Sequence, residues 1–259
     1  MTEIAGTQLI SRTCQILRSF SIATPELSLA EISKRCQLPP TTAFRILQAL
    51  VIEGFVIQDP VTTSYRLGSG LVSIGELAKL SNTLLNTVRP YAEELNRITG
   101  EYVTLEKLKR NIWVDTLDFI PTSNYRLNIQ PSRGLLLPAH CTATGKAQLA
   151  YLPDDQLDMA LSRKLDPLTP YTITDPQQLR EHLSVIRKQG YAVSQQEMEI
   201  GYVAIAAPIF GPHQEVLAAI SVGAPEIRFT KERVQSLIPE TVRIAGLISA
   251  ILRYADNGD

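Results

Sequence analysis

The chain has 259 residues, of which 44% are hydrophobic and 20% charged, and it carries a net charge of −1. This composition fits one large or two ordinary globular domains and excludes extended disorder away from the ends. The near-zero charge also argues against strong non-specific binding to nucleic acid. Cysteines at 14, 36 and 141 lie too far apart for a zinc pattern, and Cys14 and Cys36 read as small buried hydrophobes on helices. With no signal peptide and no apolar run near 18 residues, the expectation is a cytoplasmic protein with reduced thiols and no membrane contact.

The first element in chain order is a helix with Thr13, Ile16, Leu17 and Phe20 at helical spacing. Ser28 followed by Glu31 is a capping-box pattern that opens a second helix over Leu29–Cys36, which Gln37-Leu38-Pro39 breaks. Pro39-Pro40-Thr41 starts a third helix, buried through Ala43, Ile46, Leu47 and Leu50 and ended by Gly54. Its outward side carries Thr41, Arg45 and Gln48, with Thr42 on the flank. Phe55-Val-Ile and Ser64 to Leu67 read as two strands around the Asp59-Pro60 turn, with Thr62, Thr63 and Arg66 toward the tip.

Three helices and such a hairpin make a winged helix-turn-helix, which places double-stranded promoter DNA first among partners. Arg45 can pair with guanine or phosphate, Gln48 with adenine, and the threonines with phosphate or a thymine methyl. The candidate DNA-binding residues are Arg12, Ser28, Lys34, Arg35, Thr41, Thr42, Arg45, Gln48, Thr63, Tyr65 and Arg66. Residues 1–80 hold seven basic against six acidic side chains, so one copy would bind weakly and a dimer that doubles the contacts would compensate. A protein-binding module of the same size remains the alternative.

Ser69 to Lys79 reads as a linker helix with Leu71, Ile74 and Ala78 on one side, followed by a polar break through Thr83. A further helix has Leu84, Val88, Tyr91, Leu95 and Ile98 on its seam, a kink or restart at Pro90, and Gly100 as its C-terminal cap. That seam suits packing on a sheet, with or without dimer contacts. The pattern then changes to strands, at Tyr102–Leu108, Ile112–Phe119, Leu135–Leu137, Tyr191–Ser194, Val203–Phe210 and Val216–Val222. Interleaved helices are expected at Ala143–Tyr151 and Asp154–Leu161, from a capping box Thr174–Gln177 to Gly190, and from Thr230 or Lys231 to Arg253. The last two strands, joined by Gly211-Pro212-His213-Gln214, indicate an antiparallel sheet covered by helices, so the class is α+β. The expected domains are a winged helix-turn-helix over 1–68, a linker helix over 69–82 and an effector and oligomerisation domain over 83–255.

Four segments carry a family likeness: Leu29 to Leu47, Gly54-Phe55 with Tyr65-Arg-Leu-Gly68, Ala143-Thr-Gly-Lys-Ala147, and Glu197 to Pro208. Together, and in this order over nearly the whole chain, they resemble the isocitrate lyase regulator (IclR) family of bacterial transcription factors. The resemblance implies a GAF-like C-terminal domain that binds a small metabolite, and a homodimer or a homotetramer built as a dimer of dimers. The chain departs from the family at Cys141, where a small residue is frequent, so the ligand does not transfer.

The loop Pro138–Thr142 joins an apolar strand to a helix, whose free N–H groups attract carboxylate. The expected effector pocket is therefore walled by Gly134, Leu135, Leu136 and Leu137, closed by His140, Cys141, Thr142 and Ala143, and faced by Glu197, Met198, Glu199 and Gly201. Its ligand is expected to be a small aromatic or aliphatic organic acid. A plain strand-to-helix turn over core leucines is the competing reading. Glu197 and Glu199, two apart on an extended segment, would point the same way.

Catalysis is not expected. His140-Cys141 lacks the geometry of a thiol and its base, because adjacent residues seldom face each other. Gly145-Lys146 is not a phosphate loop, since His140 stands where glycine is required, and Lys146 reads as a surface or fold contact. His140, His182 and His213 form no ligand-spaced pair, so no metal and no cofactor is expected. The alternative from another class is a GAF-like metabolite-binding or hydrolytic protein with an N-terminal protein-interaction module.

Overall fold

The structure is a computed structural model that describes residues 8–21, 24–80, 83–122 and 136–255. The chain divides into two compact units, with the boundary after Asn82.

The first unit runs α1 (Gln8–Leu17), β1 (Glu26–Leu27), α2 (Leu29–Cys36), α3 (Pro40–Ile52), β2 (Val56–Gln58), β3 (Tyr65–Leu67) and α4 (Gly70–Leu80). Ser28 caps α2 as its spacing predicts: its Oγ accepts from the Glu31 N–H at 3.3 Å, and its own N–H donates to the Glu31 carboxylate at 2.8 Å. Gln37 ends α2 in the left-handed region at φ 53°, which turns the chain into the proline-opened α3. Ile16, Ile32, Ala43, Ile46, Leu47, Leu50 and Tyr65 close one core between the three helices and the hairpin. Each fully buried isoleucine or leucine contributes about 1.5–3 kcal/mol.

Three details differ from the sequence reading. A two-residue strand, β1, adds to the hairpin to give the order β1-β3-β2, too short to leave a periodic signal. Cys14 and Cys36 are half-buried, not fully enclosed. The wing returns to the end of α3 by a backbone approach: a Cβ on Gly68 would lie 2.3 Å from the Gly54 carbonyl oxygen, so glycine is needed there.

The second unit contains α5 (Thr83–Thr99), β4 (Tyr102–Lys109), β5 (Trp113–Ile120), β6 (Leu136–Pro138), α6 (Ala143–Leu149) and α7 (Asp154–Leu161). It continues through α8 (Pro176–Gln189), β7 (Ala192–Gln195), β8 (Tyr202–Phe210), β9 (Val216–Pro225) and α9 (Lys231–Ala255). The six strands form one antiparallel sheet in the order β6-β5-β4-β9-β8-β7. Strand alternation splits its two faces. Val103, Leu105, Ile205, Ile220 and Val222 pack with α5 and α9, while Ala204, Ala206 and Ala219 pack with α6, α7 and α8.

The seam of α5 packs on the sheet through Val88 and Leu95, with Leu84 and Tyr91 against the same core, and Ile98 lies partly exposed. Pro90 stays inside one continuous helix, and Gly100 at φ 71° terminates it. Pro239 is likewise carried inside α9. That helix is long and apolar over Lys231–Arg253, and its apolar side packs in the core through Leu237, Ile244 and Ile248. The capping of α8 is corrected by one residue. Asp175 accepts from the Gln178 N–H at 2.8 Å, whereas Gln177 turns to Glu181, because a carboxylate is the stronger acceptor at a helix start.

Candidate functional site

In the first unit, the outward side of α3 presents exposed Thr41, Phe44 and Arg45, with Thr42 and Gln48 half-buried. Arg45 has no ion-pair partner among the described residues. Thr63 and Arg66 are exposed in the wing, where the Asp59 carboxylate accepts from the N–H groups of Val61 and Thr62 at 2.9 and 2.8 Å. Those bonds hold the Asp59 carboxyl below its ordinary range and rigidify the tip. Thr63 sits at φ 56°, a strained conformation for a β-branched residue that aims the tip.

Other residues of the expected interface serve the fold. Tyr65 is 1% exposed and belongs to the core, so its side chain is withdrawn from any groove. Strand alternation inverts it relative to Arg66. Arg35 donates to the Ser19 carbonyl and the Thr24 hydroxyl, both at 3.0 Å, which ties α2 to the segment after α1. Ser28 is committed to its capping box, Lys34 is exposed in the last turn of α2, and Arg12 is half-buried on α1. Phe44 gave no signal in the apolar pattern because it lies between the buried stripe and the polar one.

In the second unit, a cavity of about 180 Å³ lies between the sheet and the start of α6. Tyr102, Thr104 and Glu106 reach it from alternate positions of β4, Tyr202 and Ala204 from β8, Ser221 from β9 and Ser194 from β7. Leu137, Thr142, Ala143, Thr144, Met198 and Glu199 complete the wall. Thr104 and Ser221 are cross-strand partners whose hydroxyls meet at 2.6 Å. The Thr144 hydroxyl donates to Glu106, and Thr116 donates to the other Glu106 oxygen at 3.2 Å. Burial nevertheless pushes the Glu106 carboxyl up, toward its neutral form, and raises the Tyr102 phenol as well. The Tyr102 hydroxyl is buried with no hydrogen-bond partner. Gln148 braces the same strand, accepting from the Leu108 N–H at 2.7 Å beyond the bulge at Leu105/Glu106.

Five residues of the expected pocket line this cavity: Leu137, Thr142, Ala143, Met198 and Glu199. Gly134 and Leu135 lie outside the described residues, and Leu136 is exposed on the edge strand. Cys141, Glu197 and Gly201 do not line it, and His140 lines a different cavity. Cys141 is fully buried, with its Sγ 3.4 Å from the Pro138 carbonyl oxygen, and burial pushes its thiol up to about 12. A thiol so protonated, beside a His140 turned to the Asp166 carbonyl, has none of the activation a nucleophile needs.

The segment of Glu197 and Glu199 is a turn, not extended chain, so the two carboxylates separate. Thr169 and Thr172 donate to the Gln196 and Glu197 carbonyls at 2.7 and 2.6 Å and fix that turn. Glu197 therefore enters the protein to pair with Lys146, and Glu199 is left at the cavity. Lys146, read from the sequence as a surface or fold contact, is fully buried and also donates to the Val193 carbonyl at 2.9 Å. It lies 3.3 Å from His182, whose Nε2 accepts. Burial and the Lys146 charge push His182 down to about 4, which keeps it neutral.

The polar residues on β4, β8 and β9 were missed as a site. A usable signal existed on β4: Tyr102, Thr104 and Glu106 alternate with apolar Val103 and Leu105 in a strand with helices on both faces.

A winged helix-turn-helix followed by a helix-covered sheet with its own cavity defines a DNA-binding transcriptional regulator. Comparison with known proteins makes this specific. Residues 9–60 match the IclR helix-turn-helix domain and residues 78–250 match the bacterial transcriptional regulator IclR C-terminal domain. The chain belongs to the IclR family. It is 35% identical over 228 residues to the HTH-type transcriptional regulator Rv1719 of Mycobacterium tuberculosis, covering 88% of this chain and 86% of that protein. The crystal structure of an IclR transcriptional regulator from Alicyclobacillus acidocaldarius superposes with a TM-score of 0.87 at 27% identity, covering 97% of this chain and 100% of that one. An IclR homolog from Microbacterium hydrocarbonoxydans, complexed with 4-hydroxybenzoate, shares the fold with a TM-score of 0.81 at 24% identity over 95% and 100% of the two chains.

Proposed function

We propose that the chain is a cytoplasmic transcriptional regulator, working as a homodimer or a dimer of dimers, whose affinity for promoter DNA is set by a small organic acid in the cavity over β4. The observation that carries the ligand reading is the buried, unpartnered Tyr102 hydroxyl at the wall of a small cavity. A donor without an acceptor there costs about 1–3 kcal/mol, which a ligand oxygen would recover. Burial favours the uncharged form of the Glu106 carboxyl, which lessens its repulsion of a ligand carboxylate. The 4-hydroxybenzoate complex of the Microbacterium homolog supports the same class of ligand.

On the DNA side, Thr41, Arg45 and Gln48 read the major groove, with Thr42 at its flank and Thr63 and Arg66 of the wing on phosphate. Lys34 and Arg12 supply further charge, whereas Ser28 and Arg35 act by fixing α2. Exposed apolar residues support the dimer: Leu9 and Ile10 on α1, and Val72, Ile74 and Leu77 on α4, each at least half exposed. A second copy that covers them would also double the faint positive charge of one reader.

Two experiments test this reading. Arg45→Ala, measured by fluorescence anisotropy on a duplex selected by the protein from random DNA, loses about 1–3 kcal/mol of affinity and discriminates less at one base pair. Unchanged affinity and specificity would remove Arg45 from the interface. Deleting residues 1–68 abolishes specific DNA binding and leaves calorimetric binding of the organic acid intact. Loss of both would contradict the assignment of the two activities to separate units.

A further inference from the structure

A second cavity, of about 350 Å³, lies in the same unit among β5, β6, the end of α6, α7 and the segment that follows α7. Ile112, Leu149, Ala160, Leu161 and Leu179 give it an apolar floor. Trp113, the only tryptophan of the chain, stands at its wall with about a third of its surface exposed. Five polar side chains also line it: Asn111, His140, Arg163, Lys164 and Asp166. His140 is buried and directs Nε2 to the Asp166 carbonyl at 3.1 Å, so that nitrogen donates and Nδ1 is left as an acceptor. Lys164 is paired with Asp166 at 2.7 Å, whereas Arg163 at the rim has no ion-pair partner among the described residues.

We propose that this cavity is a second ligand site, taking a small aromatic carboxylate whose ring lies against Trp113 and the leucines and whose charge meets Arg163. The chemistry follows from the wall: an apolar chamber with an aromatic face selects a flat ring, and a free guanidinium at the mouth forms a charge-assisted bond with a carboxylate. The site is not isolated from the first. Pro138, Ala139 and His140 wall this cavity, and Thr142 and Ala143, two residues on, wall the other. Gly145 presses α6 onto that shared loop, since a Cβ there would meet Ala139 backbone atoms at 2.2–2.6 Å. Occupancy of either cavity therefore bears on one short, tightly packed segment, which is the physical connection two coupled ligand sites require.

The single tryptophan makes the test direct. The full chain is labelled with 5-fluorotryptophan, and its one ¹⁹F resonance is followed while 2-naphthoate, or uncharged 2-naphthylmethanol, is added. The expected result is a saturable shift with naphthoate that weakens about tenfold in Arg163→Glu, while naphthylmethanol binds both proteins alike. Arg163 is exposed, so the substitution leaves the fold in place. A resonance that does not move with naphthoate overturns the site. An equal naphthoate affinity in Arg163→Glu overturns its assignment to carboxylates.

Discussion

Lys146→Met should cost the C-terminal unit about 3–5 kcal/mol of stability, because it leaves the Glu197 carboxylate buried without its cation. Lys146 is fully buried and Glu197 nearly so, and one Glu197 oxygen already lacks a partner. Burial pushes the Lys146 ammonium down and the Glu197 carboxyl up, and the pairing opposes both. Removing the cation removes that opposition, so the Glu197 carboxyl rises further above its ordinary value of 4.5. A carboxyl raised in the folded state favours folding in acid and loses that advantage as pH rises above its unfolded value. The variant should therefore be least destabilised near pH 4 and progressively worse toward neutral pH. Urea unfolding followed by Trp113 fluorescence reads this unit alone, since the chain has no other tryptophan. The double variant Lys146→Met/Glu197→Leu should recover much of the loss, because an apolar pair needs no desolvation of charge. A single variant as stable as the parent at neutral pH would show that the pair does not hold the turn at Glu197.

Gly145→Ala should be comparably severe, at about 3 kcal/mol, for a steric reason. The added Cβ would stand 2.2 Å from the Ala139 carbonyl oxygen and 2.4 Å from its Cα. These are backbone atoms that no rotamer change can move, so α6 must retreat from the loop that precedes it. That retreat pulls Thr144 from Glu106 and opens the cavity, so ligand affinity falls along with stability. Gly246→Ala is the control. Its Cβ would meet nothing within 4 Å on the exposed side of α9 in the same unit, so the same chemical change should stabilise by about 0.5–1 kcal/mol. Equal effects at the two glycines would mean that α6 tolerates displacement and that the cavity is not set by this contact.

What the sequence made legible was local. The capping box at Ser28, the proline start of α3 and the turn at Asp59 each depend on neighbouring residues, and all three stand in the structure as expected. Proline was over-read at Pro90, where the burial of an amphipathic face outweighs one lost hydrogen bond, whereas the last helix runs through Pro239 as expected. Asp175 displaced Thr174 as a cap because its carboxylate is the stronger acceptor at a helix start, which the Thr174–Gln177 spacing does not reveal. The cavity over β4 was half legible. Leu137, Thr142 and Ala143 surround a recognisable strand-to-helix loop, but Thr104, Glu106, Tyr202 and Ser221 come together only once strands distant in sequence are paired. Lys146 proves to be a fold contact, one of its two expected readings, although nothing near it in sequence indicates the distant Glu197.

Control of DNA binding in one unit by a small acid held in the other is tested most directly by measuring the affinity of the full chain for its selected duplex over a range of salt concentrations, with and without the acid found to bind it. Log K should fall linearly with log salt, with a slope of about −0.9 for each phosphate neutralised, and saturating acid should displace the whole line. A DNA affinity insensitive to salt, or a line that the bound acid leaves where it was, would contradict it.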